Sequence, residues 1–471
     1  MGNLFSALGS AGEALKAFQS ALDVTQNNVT NSNSPNYAKQ VPILDSLSFQ
    51  PQNGLLGGVT EQTQDTRNAF ADTAVRQQTS LLGEFQQLQT SLAPLQNVFD
   101  VSATSPIPSA LNQLFQSFSN WSANPGDTSA QNAVLTSAAQ VSSAFQQAAN
   151  QLASIRTSTD NGIRSTVTQI NQDAALIQSY NSAIATHSVP DAGLDAQLNS
   201  ALESLSNLAN VQVIRGNANT VTVLLGGQTP LVIGQQVNPL QVQPENTTGA
   251  PNPNGAPNTQ ILDSSGNDVT SQITSGSLAG LLSVRNNLLP SLAGGAHQTG
   301  DLNVLAKGLA DAVNNLQAQG STTSTPPFQA GAPLFAYDAT SATDSAATLA
   351  LNPSITASQL APVATGPPVV SNGNALSLAG LGSTTQINGL NFTQYFGSLV
   401  SRVGNAAATA DTQTTAQQSL VAQAQNLRQQ LSGVSLDEEA IRLVQLQRSY
   451  QAASRIVSVV DQLAETLLNI Q

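Results

Sequence analysis

Few residues in this sequence have types that could do chemistry. The acidic triplet Asp437, Glu438 and Glu439 could act as paired carboxylates, one giving a proton and one taking it. The two histidines, His187 and His297, could ligate a metal or shuttle a proton, but neither has a carboxylate or a second histidine at ligand spacing. There is no GxGxxG after a strand, no Walker loop, no HExxH and no GxSxG. With no cysteine, disulfides, thiolate catalysis and Cys-ligated zinc are all excluded. The triplet reads better as a helix start. Ser435 with Glu438 three residues later forms a capping box, and Asp437 and Glu439 add favourable charge to the first turn. Trp121 and Tyr180 are single aromatics at helical positions and read as core. The run "TQNNVTNSNSPNY" could suggest sugar or nucleotide contacts, yet turn chemistry accounts for it, since Asn caps helix ends and tolerates left-handed backbone. The expectation is a protein that is not an enzyme and carries no cofactor and no metal.

Composition narrows the class further. The 471 residues exceed one ordinary core, so two or three domains are expected. Charged residues make up 9%, against about 25% in ordinary domains. With 14 basic and 27 acidic residues the net charge is −13, which argues against a nucleic-acid partner. Hydrophobic content of 40% suits a folded chain. No apolar run approaches the roughly 20 residues of a membrane span, so no membrane insertion is expected. The first twenty residues lack a basic start and an unbroken apolar stretch, so no cleavable secretion signal is read there. A cysteine-free chain also suits passage between redox compartments.

The elements that must position any function are mostly helices. Leu4, Leu8, Ala11, Leu15, Phe18, Leu22, Thr25 and Val29 step by four and three, a heptad seam that Asn27 to Pro35 brings to an end. Residues 40–65 read as irregular or as short strands. A second seam runs from Leu81 to Phe99, with Pro94 expected to kink or break it. A short third helix carries Leu111, Leu114, Phe115 and Phe118 and stops at "NPGD". The longest signal spans 129–187 and slips by one four-residue step through Thr159 and Ile163, a stutter. If continuous it would be a rod of roughly 85 Å. After a helix at 195–209, "VQVIRGNANTVTVLL" predicts a hairpin, and 238–260 predicts a solvated loop. Residues 276–319 read as two helices broken near "LAGGAHQTGD", 320–390 as strands and loops, and 391 onward as helix again. The last helix starts at the Ser435 cap and carries the seam Leu436, Leu443, Leu446, Tyr450, Ala453, Val457, Val460, Ala464 and Leu467, with Arg442, Arg448 and Arg455 off it.

A sticky helix at each end of the chain calls for a partner. Burying seven to nine seam residues at roughly 1.5–3 kcal/mol each would be a strong driving force. Either the ends fold back on the body, or they pair with each other and with neighbouring copies. The second reading is the expectation taken forward.

The residues at the ends also resemble a family. "ALDVTQNNVTNSNSPNYAKQ" is similar to the N-terminal pattern of bacterial flagellar rod, hook and hook-associated proteins, in which an amphipathic helix runs into NN-[IV]-x-N, Pro, a small turn residue and Tyr. The match falls on Asn27, Asn28, Val29, Asn31, Pro35 and Tyr37. Asn36 stands where Gly is commoner and can take the same backbone. Gly433 to Glu439 resembles the family's GV-x-LDEE entry to its closing helix. The middle separates the branches. Gly276, Leu278, Gly280, Leu281, Leu282, Arg285 and Asn286, then Leu309, Ala310, Asp311 and Asn314, resemble the hook-associated protein 1 family, the hook–filament junction branch. Members of that family carry a β-rich outer domain after the "PLF" strand, Pro333 to Phe335 here; in this chain only the stretch 336–390 stands in that place.

The resemblance implies a structural part of the flagellum, assembled as a ring between hook and filament. It implies an extracellular site reached unfolded through the flagellar type III pathway, without cleavage of a signal. The implied partners are the chain itself in a ring, the hook protein, a second junction protein on the filament side, and a cytosolic export chaperone on the C-terminal helix. The fold expected is mainly α with a smaller β part. A terminal coiled-coil domain, 1–35 with 435–471, would line the inner tube. A long-helix bundle body with β-hairpins would span 36–335 and 391–434, and 336–390 would be a reduced outer region. The expected assembly interface is Leu4, Leu8, Leu15, Phe18, Leu22, Asn27, Asn28, Tyr37, Leu443, Leu446, Tyr450, Val457, Val460 and Leu467. The alternatives are a hook or distal-rod axial protein, an exported cell-wall hydrolase needing a carboxylate pair in a cleft, and a helical adhesin or secreted effector.

Overall fold

The computed structural model describes residues 2–50, 55–99, 106–186, 191–216 and 220–468. His187 and the side chains of Leu4 and Leu467 lie outside the described residues. The chain opens with helix α1, Gly2–Thr30, and turns through Asn36, whose φ of 60° confirms the left-handed position expected of it. Next come strands β1, Gln40–Gln50, and β2, Leu55–Asp65, paired antiparallel from Gln40 opposite Asp65 to Gln50 opposite Leu55. These 11-residue strands correct the reading of 40–65 as irregular or short. A two-stranded ribbon is marginal alone and shows no clean alternation. It is steadied here by α1 along its side, with the Ser20 hydroxyl donating to Glu61 at 2.8 Å.

Helix α2, Ala69–Val98, continues through Pro94 without the break that was one of the two outcomes expected there. Pro94 is exposed and one turn from the helix end, so the Thr90 carbonyl it leaves unbonded can meet water. Helix α3, Pro106–Ala123, buries Leu111, Leu114, Phe118 and Trp121. Trp121 is core, as expected, and donates from Nε1 to the Pro125 carbonyl. Helix α4, Thr128–Thr186, is one unbroken helix of 59 residues, about 88 Å long. Its stutter has a structural counterpart. Up to Leu152 the buried stripe faces one core, and from Ile163 onward it faces a second.

That second core lies under helix α5, Ala192–Leu208, and an antiparallel meander of four strands: β3, Val211–Arg215; β4, Val221–Leu225; β5, Thr229–Ile233; and β6, Gln236–Val237. The expected hairpin is the first half of this meander. Buried Asn181 of α4 ties the sheet down by bonding both the N–H and the carbonyl of Val221. The stretch 238–260 is not all loop: β7, Gln241–Pro244, pairs with β8, Thr259–Leu262.

The segment that carried the family resemblance holds the two cores together. Helix α6, Ser277–Ser283, a π-helical turn at Val284–Leu288 and helix α7, Leu289–Ala293, form one rod. Gly276 has φ 88°, and a Cβ there would lie 2.4 Å from the Ala209 nitrogen; one on Gly280 would lie 2.7 Å from the Glu84 carbonyl oxygen. Only glycine lets this rod approach α5 and α2 so closely. Arg285 bonds Asp160 of α4 at 2.6 Å, and Asn286 bonds both backbone groups of Thr259 at 2.8 Å.

Helix α8, Asp301–Gln319, follows, and its Asn314 brackets Phe335 of the short strand β9, Phe335–Ala336, by two backbone bonds. Helix α9, Ser345–Thr348, strand β10, Ala350–Leu351, paired to β9, and helix α10, Gly373–Gly380, complete the stretch expected as a reduced outer region. It packs into the first core through Leu349, Ile355, Leu360, Leu378 and Ile387. Helix α11, Phe392–Ser432, starts in a capping box of Asn391 and Gln394 and lies antiparallel along α2, with Gln417 bonding Gln78 and Gln89 bonding Asp411. Helix α12, Leu436–Leu468, closes the chain against α1. The fold is mainly helical with small sheets, as expected.

Candidate assembly interface

The end of α1 meets the start of α12, and the helices stay in contact along their lengths, so they run antiparallel. A polar clasp closes this end. Asn28 has no exposed surface and satisfies its whole amide. It donates to the Gln40 carbonyl at 2.7 Å and to Glu439 Oε2 at 3.0 Å, and accepts from the Gln40 N–H and the Tyr37 hydroxyl, each at 3.0 Å. Lys39 adds its ammonium, 2.7 Å from Glu438 and 3.2 Å from Glu439. Burial works against that ammonium, but the hydrogen bonds and charges of Glu438 and Glu439 win and hold its pKa above the ordinary value. The clasp corrects the cap reading of the acidic triplet. Glu438 reaches Lys39, Glu439 is fully buried, and the cap is a single long bond of 3.5 Å from the Glu438 N–H to Ser435.

Tyr37 is the clasp's testable edge. Burial, with repulsion from Glu439 and Asp65, pushes its phenol up to about 12. The folded state therefore favours the neutral phenol. Its contribution is full below the ordinary value of 10.0 and is lost as the pH rises from there towards 12. Tyr37→Phe should cost about 1 kcal/mol at neutral pH and flatten the alkaline limb of the stability curve, as read by urea denaturation from pH 7 to 11.

Above the clasp the two terminal seams shelter each other. On α12, Leu446, Ala453 and Val460 are buried and Leu443, Tyr450 and Val457 half-buried; on α1, Ala11, Ala17 and Ala21 are buried and Leu15, Phe18 and Leu22 half-buried. Leu8 and Asn27 are exposed. The terminal helices thus cover each other within one molecule. What stays uncovered is a second stripe, which sequence reading passed over. Ile441, Val444, Ile456, Val459 and Leu463 are between 47% and 61% exposed and lie on the far side of α12 from α1. The steps of three and four within 441–444 and 456–463, separated by a gap of twelve, were the available signal.

A charged joint connects this terminal pair to the body. Arg67 is almost fully buried and bonds Asp195 at 2.5 Å and the Asn36 carbonyl at 2.7 Å, with Asp72 at 3.4 Å. Burial pulls its pKa down, but the carboxylates of Asp195, Asp72 and Asp65 more than offset this. Arg428 pairs with Glu203 on the same joint. Ser432 bridges the strands and helices, taking the Lys39 N–H on its carbonyl at 2.9 Å and the Asn68 N–H on its hydroxyl at 3.0 Å. Elsewhere, His297 faces Glu245 at 3.1 Å on an exposed loop, a pairing its sequence neighbours did not reveal. Among the described residues no group of three or more such side chains could hold a metal ion. Tyr180 is half-buried beside the second core.

The description "Flagellar hook-associated protein FlgK helical domain" matches residues 92–335, over half of the chain. The chain belongs to the FlgK family of flagellar hook-associated proteins. A second description, "Flagellar basal body rod FlgEFG protein C-terminal", matches residues 416–470, the end of α11 and all of α12. Flagellar hook-associated protein 1 of Bacillus subtilis (strain 168) is 26% identical over 514 residues, covering 100% of this chain and 99% of that protein. The protein of that name in Escherichia coli (strain K12) is 35% identical over 100 residues, 21% of this chain and 18% of the relative. The flagellar hook junction protein FlgK from Burkholderia pseudomallei shares the fold, with a TM-score of 0.64 and 18% identity over 76% of this chain and 100% of that one. For this FlgK-family chain the rod of α6 and α7, its glycines and its Arg285–Asp160 pair lie inside the matched helical domain. The clasp's carboxylates, Glu438 and Glu439, lie well inside the C-terminal match.

Proposed function

We propose that this chain is a structural subunit of the hook–filament junction, that copies of it associate into a ring, and that it performs no catalysis. One observation carries the assembly reading. Helix α12 has two apolar faces, and the molecule covers only one of them. The inner seam, including Leu443, Leu446, Tyr450, Val457 and Val460, holds α1 and α12 as one unit, with Asn28 and Tyr37 closing it. The outer stripe, Ile441 to Leu463, makes contact with a neighbouring copy. Large apolar faces of this kind on a soluble chain mark interaction surfaces. Hook protein lies on one side of the ring and a second junction protein on the other. Before export, a cytosolic chaperone covers α12. The chain leaves the cell unfolded through the flagellar type III pathway and works outside it.

Deleting the gene and examining cells by electron microscopy tests the reading. The expected result is hooks without filaments, with filament subunits lost to the medium. Normal filaments on such cells would refute a junction role.

A further inference from the structure

The seam between α1 and α12 is apolar but undiscriminating along its length. On α12 its buried layers, Leu446, Ala453 and Val460, repeat every seven residues. On α1 the buried apolar side chains include the small Ala11, Ala17 and Ala21. Sliding α12 by a heptad, about 10.5 Å, presents the same apolar face of α12 to these small side chains and forfeits a terminal layer. Hydrophobic contact alone therefore leaves several axial alignments close in free energy.

The clasp does not tolerate such a slide. Asn28 and Glu439 are 411 residues apart, are both without exposed surface, and meet at 3.0 Å. Any shift would leave the Glu439 carboxylate among aliphatic carbons and strand the Asn28 amide, both unfavourable states for buried polar groups. A buried Asn in a coiled coil trades stability for a unique register by the same physics. We propose that Asn28 and Glu439 are positioning residues that set the axial register of α1 against α12. They thereby set the height at which the outer stripe of α12 stands relative to the body. Lys39 of the intervening turn, paired with Glu438 and Glu439, supplies the counter-charge, and its N–H ties the turn to the Ser432 carbonyl at the end of α11.

Because the chain has no cysteine, two introduced cysteines can carry spin labels with no background. Exposed Gln19 of α1 and Gln462 of α12 suit the purpose. Pulsed dipolar spectroscopy on dilute full-length chain should give one narrow distance distribution. In Glu439→Gln, where the Gln carbonyl still accepts from Asn28, it should stay narrow and unshifted. In the double variant Asn28→Leu, Glu439→Leu it should split or broaden, with a second population displaced by about 10 Å, while circular dichroism reports the same helix content. A narrow, unshifted distribution in that folded double variant would overturn the proposal. So would loss of its helical signal, which would make the pair a stabilising rather than a registering contact. The readout uses single molecules, so failure of the assembly reading leaves it intact, and the reverse.

Discussion

Replacing Ile456 and Val459 together by Asp should leave the isolated chain as stable as before and abolish its assembly. Both side chains are more than half exposed, so their removal takes little from the folded monomer, within about 0.5 kcal/mol each. In an assembled ring the same positions would be covered. Two carboxylates would then be buried without partners, each at a cost of several kcal/mol. A loss of even ~2.7 kcal/mol corresponds to a hundredfold weaker contact, and the double variant should exceed that. Two measurements check it. The thermal melt of the purified variant should overlay that of the parent. Cells complemented with the variant should export it yet make hooks without filaments. Full-length filaments on those cells would show that the outer stripe has no part in assembly. The matched change on the inner seam, Leu446→Asp, should behave in the opposite way and lower monomer stability first.

Arg67→Met should be the most damaging single change to the monomer, by about 3–5 kcal/mol at neutral pH. Its guanidinium is buried among Asp195, Asp72 and Asp65, and it also caps the carbonyl of Asn36. Methionine keeps much of the volume but leaves the acids without their shared cation. Burial already raises the Asp65 carboxyl above its ordinary value, and loss of the cation raises it further. A carboxyl whose folded pKa is raised stabilises the fold when protonated and loses that contribution as the pH rises through it. The deficit of Arg67→Met should therefore shrink as the pH falls from 7 towards 4, and urea denaturation across that range would show it. Arg67→Lys keeps the charge but cannot reach Asp195 and the Asn36 carbonyl together, so it should recover only part of the loss. An Arg67→Met variant within 1 kcal/mol of the parent at pH 7 would mean that the joint is not held by charge.

Much of the helical framework was legible because its signal is periodic and long. The seams of α1, α4 and α12 and the stutter at Thr159 could be read from residue spacing alone, and the buried positions of α4 follow that spacing through Ile177. Shorter or two-faced elements were not. The ribbon of β1 and β2 was hidden because Pro42, Gly57 and Gly58 lie inside the strands and read as turn residues. Pro94 misled because a helix end on the solvent side tolerates it. Strands β5 to β8 are too brief, at two to five residues, to show a period. The residues of the clasp illustrate a different limit. Asn28 and Tyr37 stood out by type and Glu439 was visible beside them, yet nothing local says that they meet across 411 residues.

By itself, then, the order of residues determined which of the long segments are helices and which face of each is apolar. These follow from local geometry, since 3.6 residues per turn convert spacing directly into a face. The tertiary structure alone decided which apolar face finds cover inside the molecule and which is left exposed. A helix with two such faces reads the same whichever one is covered. What covers one of them is a helix hundreds of residues away, where the Asn28 amide meets the Glu439 carboxylate.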